Sequence, residues 1–241
     1  MDSTDYVLQH HEIVNMKLSK RLQAIDNMIT QHYDHLWDCC CDHGYLGMQL
    51  LSRRAAGQVH FVDQVPDLMV DLQSKLERFF PNEQAMWSVE CVDVATLVLP
   101  DVKARHLVII AGVGGDLAVA LVRALLRNNP DTPMEFLICP VYHTYFVRKS
   151  LADEGLGLIN EVLIEEGGRF YELMHVSQAA TRVLTPVGSL LWQSVSKAHR
   201  DYYYALLLHY QRIAQKGGQE AMNVVEDYQA LAHQIPALKE V

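Results

Sequence analysis

The sequence predicts an α/β fold: a mainly parallel sheet that finishes in an antiparallel hairpin and is followed by a pair of helices. Three observations predict it. First, apolar strand-like runs alternate with amphipathic helical runs between residues 36 and 154, the pattern of a parallel sheet covered on both faces. Second, the strand patterns at 158–164 and 170–177 are separated only by Glu-Glu-Gly-Gly-Arg, which is too short for a crossover and requires antiparallel pairing. Third, the periodicity beyond residue 190 is helical on both sides of Lys216-Gly217-Gly218, the form of an αα-hairpin.

Each element has its own signal. Val14, Leu18, Leu22, Ile25 and Ile29 form a helical stripe across 11–29, with basic residues on its flank. Residues 36–41 read as the first strand and 45–53 as a helix; 59–63 follow as a strand, and 66–79 as a helix with Pro66 at its start. The third strand is 87–92 and the fourth, apolar and β-branched, is 106–111. The sequence Gly112-Val-Gly-Gly115 then leads into a helix over 116–127, a strand at 136–139 and a helix at 145–154. In the hairpin, Gly167 and Gly168 are expected to supply the positive-φ turn.

Residues 181–189, with Pro186 and Gly188, read as a linker. The expected division is an α/β domain over 1–180 and a helical hairpin over 188–241. In that hairpin a stripe of Trp192, Val195, His199, Tyr202, Leu206 and Ile213 should pack on Met222, Val225, Tyr228, Leu231 and Ile235. It reads as an antiparallel coiled pair capping the domain, or as a holder for a large substrate.

Composition narrows the function classes. The chain has 241 residues, half of them hydrophobic and a fifth charged, which suits a folded enzyme and excludes a disordered chain. No run approaches the ~20 apolar residues of a membrane helix, and residues 1–11 lack an apolar signal-peptide core. The five cysteines include three in a row at 39–41. Neighbouring strand residues face opposite ways, so these three cannot converge on one metal; they read as reduced residues of a cytoplasmic protein. The net charge of −9 argues against a generally basic nucleic-acid surface. Local basic patches remain at Lys17/Lys20/Arg21, Arg53/Arg54 and Arg148/Lys149.

The chemistry-bearing residues collect at strand ends. Asp38 closes the first strand and Asp63 the second, where a carboxylate can accept both ribose hydroxyls of an adenosine-type ligand. Asp93 follows the third strand, where it could accept from an adenine amino group. Each is equally compatible with an aspartate that ends a strand and begins a turn. Gly112–Gly115 follow the fourth strand, which should lie beside the first at the switch point of the sheet, facing a substrate. Asp42-His43 occupy the first loop. Asp42 reads either as a cap for the next helix or as a buried acceptor near a transferable group. Cys40 lacks any adjacent base that would make it a nucleophile.

These motifs resemble the TrmK family of tRNA (adenine(22)-N1)-methyltransferases. Lys17 to Leu22 reads Lys-Leu-Ser-Lys-Arg-Leu, and the first-strand motif keeps Asp38, Asp42, His43, Tyr45 and Leu46. Ala111-Gly-Val-Gly-Gly115 stands where the family has Ala-Gly-Met-Gly-Gly. Pro140, His143 and Arg148 follow in place, as do Glu165, Glu166, Gly168, Tyr171 and Glu172. Departures are Cys40 for the family glycine, Gly44 for its alanine, Gly47 for its proline, Val113 for its methionine and Val141 for its asparagine.

The resemblance implies a Rossmann-like class I methyltransferase domain that uses S-adenosyl-L-methionine to methylate N1 of an adenine in tRNA, without a metal. It assigns the donor to Asp38, Cys40, His43, Gly44, Asp63, Gln64, Asp93, Val94 and Gly112. The substrate falls to Lys17, Lys20, Arg21, His43, Gly114, Gly115, Pro140, Tyr142, His143 and Arg148, and the catalytic carboxylate is Asp42. Two alternatives stay open: a donor- or RNA-binding module with a degenerate loop, and a small-molecule methyltransferase.

Overall fold

The computed structural model describes residues 18–239. Its elements are α1 (Lys20–Met28), β1 (Tyr33–Cys39), α2 (Tyr45–Ser52), β2 (Ala56–Asp63), α3 (Pro66–Phe79), β3 (Trp87–Cys91), β4 (His106–Ala111), α4 (Gly115–Asn128), β5 (Met134–Cys139), α5 (Thr144–Asp153), β6 (Gly157–Glu166), β7 (Arg169–Ser177), α6 (Lys197–Ala214) and α7 (Gln219–Gln234). The strands form one sheet in the order β3-β2-β1-β4-β5-β7-β6. The first five are parallel, and β7 runs antiparallel to both β5 and β6. Gly167 and Gly168 take positive φ at the hairpin turn, as expected.

Alternation along each strand divides the core into two layers. Leu36, Val59, Phe61, Leu107, Ile109 and Leu137 pack under α1, α2 and α3. Trp37, Val62, Val108, Ile110, Phe136 and Ile138 pack under α4 and α5. Each such side chain, fully buried, contributes about 1.5–3 kcal/mol.

Two expectations about boundaries change. The first strand ends at Cys39 rather than residue 41, because Cys40 turns to φ 56° and leaves the sheet. The helix expected over 190–215 is interrupted. Leu190–Trp192 is a single 3-10 turn, and α6 starts afresh at Lys197, where Ser196 and His199 form a capping box. The interruption has a tertiary cause: the Ser189 and Leu191 amides donate to Glu161 Oε1 at 2.7 and 3.0 Å, and the Trp192 indole donates to the Val187 carbonyl.

The helical pair buries most of the expected stripe: Trp192, Val195, Tyr202 and Leu206 join Tyr228, Leu231 and Ile235 in one cluster. Tyr202 and Tyr203 meet Val224, Tyr228 and Leu231, and the cluster continues into Tyr145, Leu163 and Phe170. Ile213 and Met222, expected at the seam, are exposed. The hairpin therefore packs on β6, β7 and α5 as well as on itself.

At the centre of that junction lies a buried polar network. Arg148, 0 % exposed, donates to Glu161 and Glu172. The other Glu172 oxygen accepts from Tyr202 at 2.7 Å. Burial alone would raise Glu161, but the Arg148 charge and the two amides outweigh it and hold that carboxyl below its usual range. Removing one partner of such a cluster strands a buried charge. Arg148→Ala is therefore expected to lose about 3–5 kcal/mol of stability in urea titration. R148M combined with E161Q and E172Q is expected to recover most of that loss, since no unpaired charge remains.

Candidate functional site

β1 and β4 are hydrogen-bonded neighbours, so their carboxyl ends open side by side where the sheet order reverses. The loop leaving β1 is tightly wound: Cys40, Asp42 and Gly44 all have positive φ. The Cys41 N–H still donates to the Val62 carbonyl, and the Gly44 N–H donates to Cys41 O at 2.8 Å. The first turn of α2 then lies directly over Asp38. The Gly47 N–H donates to Asp38 Oδ2 at 2.9 Å, and a Cβ at Gly47 would run into the Phe61 ring and Asp38. Burial, with Asp63 nearby, pushes the Asp38 carboxyl up to about 7 against the pull of that amide.

Asp63, at the end of β2, spans the loop. Its Oδ2 accepts from the Asp42 amide at 3.2 Å and its Oδ1 from the Val65 amide at 3.1 Å. Asp93, after β3, accepts from the Ala95 amide at 2.9 Å. Each carboxylate has lone pairs left for a ligand. Asp63, Gln64 and Asp93 border a cavity of about 280 Å³ whose apolar walls include Val94, Val113, Leu117 and Leu121. A second cavity, of about 220 Å³, is bordered by Arg21, Asp38, residues 40–43 and Gly112. Cys40 lines both cavities. A non-glycine residue with such a φ stores about 1–3 kcal/mol of strain. Burial, followed by Asp63, Asp38 and Asp93, raises the Cys40 thiol to about 11, so at neutral pH it is a thiol and not a nucleophile.

Several expected residues sit elsewhere than anticipated. Asp42 is neither a helix cap nor buried: Gly44 holds the cap position without a side-chain bond, and the Asp42 side chain is 69 % exposed, 3.7 Å from His43. Gly112, at φ 82°, does face the second cavity. Gly115 is buried in α4, where a Cβ would meet the Tyr142 carbonyl and Val147. Gly114 lies under the Tyr142 ring. These two glycines thus serve the packing of α4 against the turn before α5. Pro140 is buried, whereas Tyr142 is exposed, as is His143, which pairs with Asp116 at 3.0 Å. Arg148 is corrected from a substrate residue to a structural one, because its guanidinium is enclosed by two carboxylates. Lys20 is exposed beside the site, and Lys17 lies outside the described residues.

Sequence reasoning found Val94 but missed the other apolar walls. Leu117 and Leu121, one helical turn apart just after the glycines of β4, carried a signal that could have found them. The part of Tyr171, whose ring lies under Arg21, had no local signal. Among the described residues no His/Cys/Asp/Glu group could hold a metal, and no helix is long and apolar enough to cross a membrane.

A parallel sheet closed by an antiparallel hairpin, with acids at the ends of β1 and β2 and beyond β3 around a divided cavity, defines a Rossmann-like methyltransferase. The family model described as a methyltransferase domain matches residues 18–174. The chain belongs to the TrmK family of methyltransferases. It is 30 % identical over 172 residues to the tRNA (adenine(22)-N(1))-methyltransferase of Bacillus subtilis (strain 168), covering 69 % of this chain and 67 % of that one. Solved structures share the fold at lower identity. Sp1610 of Streptococcus pneumoniae superimposes with a TM-score of 0.71 at 20 % identity, covering 92 % of this chain and 98 % of that one. TrmK of M. capricolum, solved with S-adenosyl-homocysteine, gives 0.68 at 14 % identity over 92 % of this chain and 96 % of its own.

The Asp38 environment generates a pH prediction. Its folded pKa lies above the unfolded value, so its contribution to stability is full below the unfolded pKa and is lost as pH rises through about 7. Over that window the loss reaches up to about 4 kcal/mol. Unfolding free energies of the wild type minus those of Asp38→Asn, measured between pH 4 and 8, should fall with rising pH.

Proposed function

We propose that this protein transfers the methyl group of S-adenosyl-L-methionine to N1 of an adenine in tRNA. The observation that carries the proposal is the divided cavity at the β1/β4 switch point, with Asp63 and Asp93 on one side and Asp38 on the other. Its residues fit the donor. Asp63, Gln64 and Asp93 suit ribose hydroxyls and an adenine amino group, and Val94, Val113 and Leu121 supply apolar walls for the base. The Asp38 cavity suits the amino-acid end. Cys40 lines both cavities, and both keep their volume beside it.

Bound there, the donor supplies an electrophilic methyl group on a sulfonium. Adenine N1 carries its own lone pair, so no base has to remove a proton before attack. The N1–carbon bond forms as the carbon–sulfur bond breaks, its electron pair stays on sulfur, and the adenine ring becomes cationic. The protein's contribution is to hold the base in line and to stabilise the developing positive charge. Asp42, at the exposed rim beside His43, is the carboxylate placed to face a base that covers the mouth. Its exposure is compatible with that role once a base excludes water from it.

N1 is buried in a Watson–Crick pair, so the target must be unpaired or flipped out. Tyr142 and His143, exposed after β5, border the approach. Lys20 and the outer face of α6 and α7 provide the grip on the RNA. We place the activity in the cytoplasm, where unmodified tRNA is found and the five free thiols stay reduced.

Radiolabelled methyl transfer to unmodified tRNA, followed by nucleoside mapping, tests the proposal; the expected product is 1-methyladenosine. Donor binding without transfer to tRNA would point to a small-molecule acceptor, and no binding at millimolar donor to a binding module. Asp63→Ala should weaken S-adenosylhomocysteine about ten- to hundredfold in calorimetry. Asp42→Asn should lower turnover at least about tenfold with S-adenosylhomocysteine affinity unchanged.

A further inference from the structure

Arg21 is the arginine of the Asp38 cavity, and among the described residues no carboxylate answers its charge. It projects from the first turn of α1, behind the N-cap Ser19, and its own amide donates to Glu166 Oε1 at 3.4 Å. Its guanidinium lies over the Tyr171 ring, 5.0 Å from the centroid, which fixes its plane. Gly112 borders the guanidinium: a Cβ there would stand 3.8 Å from Arg21 Nη2, in ordinary contact. Among the described residues the buried Nε atom has no hydrogen-bond partner, and no carboxylate forms an ion pair with Arg21. A buried charged donor left without an acceptor is costly, and the arginine fork matches a carboxylate in two parallel bonds.

The lining of the same cavity also carries Asp38. A cavity lined by an arginine and a carboxylate is complementary to a zwitterion. We propose that Arg21 clamps the carboxylate of the methyl donor's amino-acid end, and so belongs to the donor site rather than to the RNA-binding surface. This rests on the methyltransferase reading above. A backbone phosphate shares the anionic chemistry, and the measurements below tell the two apart.

Calorimetry on the full chain with two ligands separates the possibilities. S-adenosylhomocysteine has the amino-acid end, and 5′-methylthioadenosine lacks it. Wild type is expected to prefer the former by at least about tenfold. Arg21→Gln should cost S-adenosylhomocysteine about ten- to hundredfold while leaving methylthioadenosine within about twofold, which also shows that the variant is folded. Arg21→Lys, which keeps the charge but loses the fork, should fall between. Gel-shift affinity for unmodified tRNA should stay unchanged in both variants.

Unchanged S-adenosylhomocysteine affinity in Arg21→Gln would overturn the clamp, as would an equal loss for both ligands. A fall in tRNA affinity with S-adenosylhomocysteine binding intact would assign the arginine to phosphate instead. Failure of the wild type to bind either ligand would overturn the methyltransferase reading together with the clamp, whereas the other adverse results overturn the clamp alone.

Discussion

The adjacency of β1 and β4 is the constraint on which the site depends. Parallel strands joined through helices must cross over one face of the sheet, and a reversal of order leaves two carboxyl ends with nothing above them. Into that gap the chain puts a loop whose backbone turns to positive φ at Cys40, Asp42 and Gly44. Asp63 holds the loop down through the Asp42 amide, and Asp38 holds the first turn of α2 through the Gly47 amide. The two carboxylates that border the cavities thus also fix the loop between them. Binding groups and supporting groups are the same atoms.

Departures from the family motif make sense in this light. Where the family has proline, Gly47 has an N–H for the buried Asp38, and its missing side chain makes way for Phe61. Cys40 keeps the left-handed turn that the family glycine would adopt without strain. Its thiol, held neutral by burial and three nearby aspartates, adds bulk beside both cavities but neither charge nor nucleophilicity. The loop keeps its path, and the strain is local.

A second polar network binds the tail to the sheet. Arg148, Glu161, Glu172 and Tyr202 satisfy one another out of water, and Glu161 also caps the amides of the segment that breaks the expected long helix. Tyr171, next to Glu172 on β7, lies under Arg21. The same strand therefore carries a residue of the tail junction and a residue that orients the cavity's arginine, one on each face.

The sequence by itself determined the strand and helix order, the hairpin after Gly155, the acids at the strand ends and the glycines after β4. All of these follow from local periodicity, turn chemistry and spacing. Pro66–Phe79, His106–Ala111 and Gln219–Gln234 stand as their patterns predicted, because in each the local preference and the buried face agree. Tertiary structure alone decided the rest. Arg148 had the spacing of a substrate residue, but Glu161 and Glu172 from β6 and β7 enclose it. Asp42 had the look of a buried acceptor, but the path of the loop turns it to solvent. Leu190 to Gln193 had helical periodicity, but a carboxylate some thirty residues away takes the amides. In every case the deciding partner is distant in the chain, and burial and charge pairing depend on which distant groups the fold brings within reach.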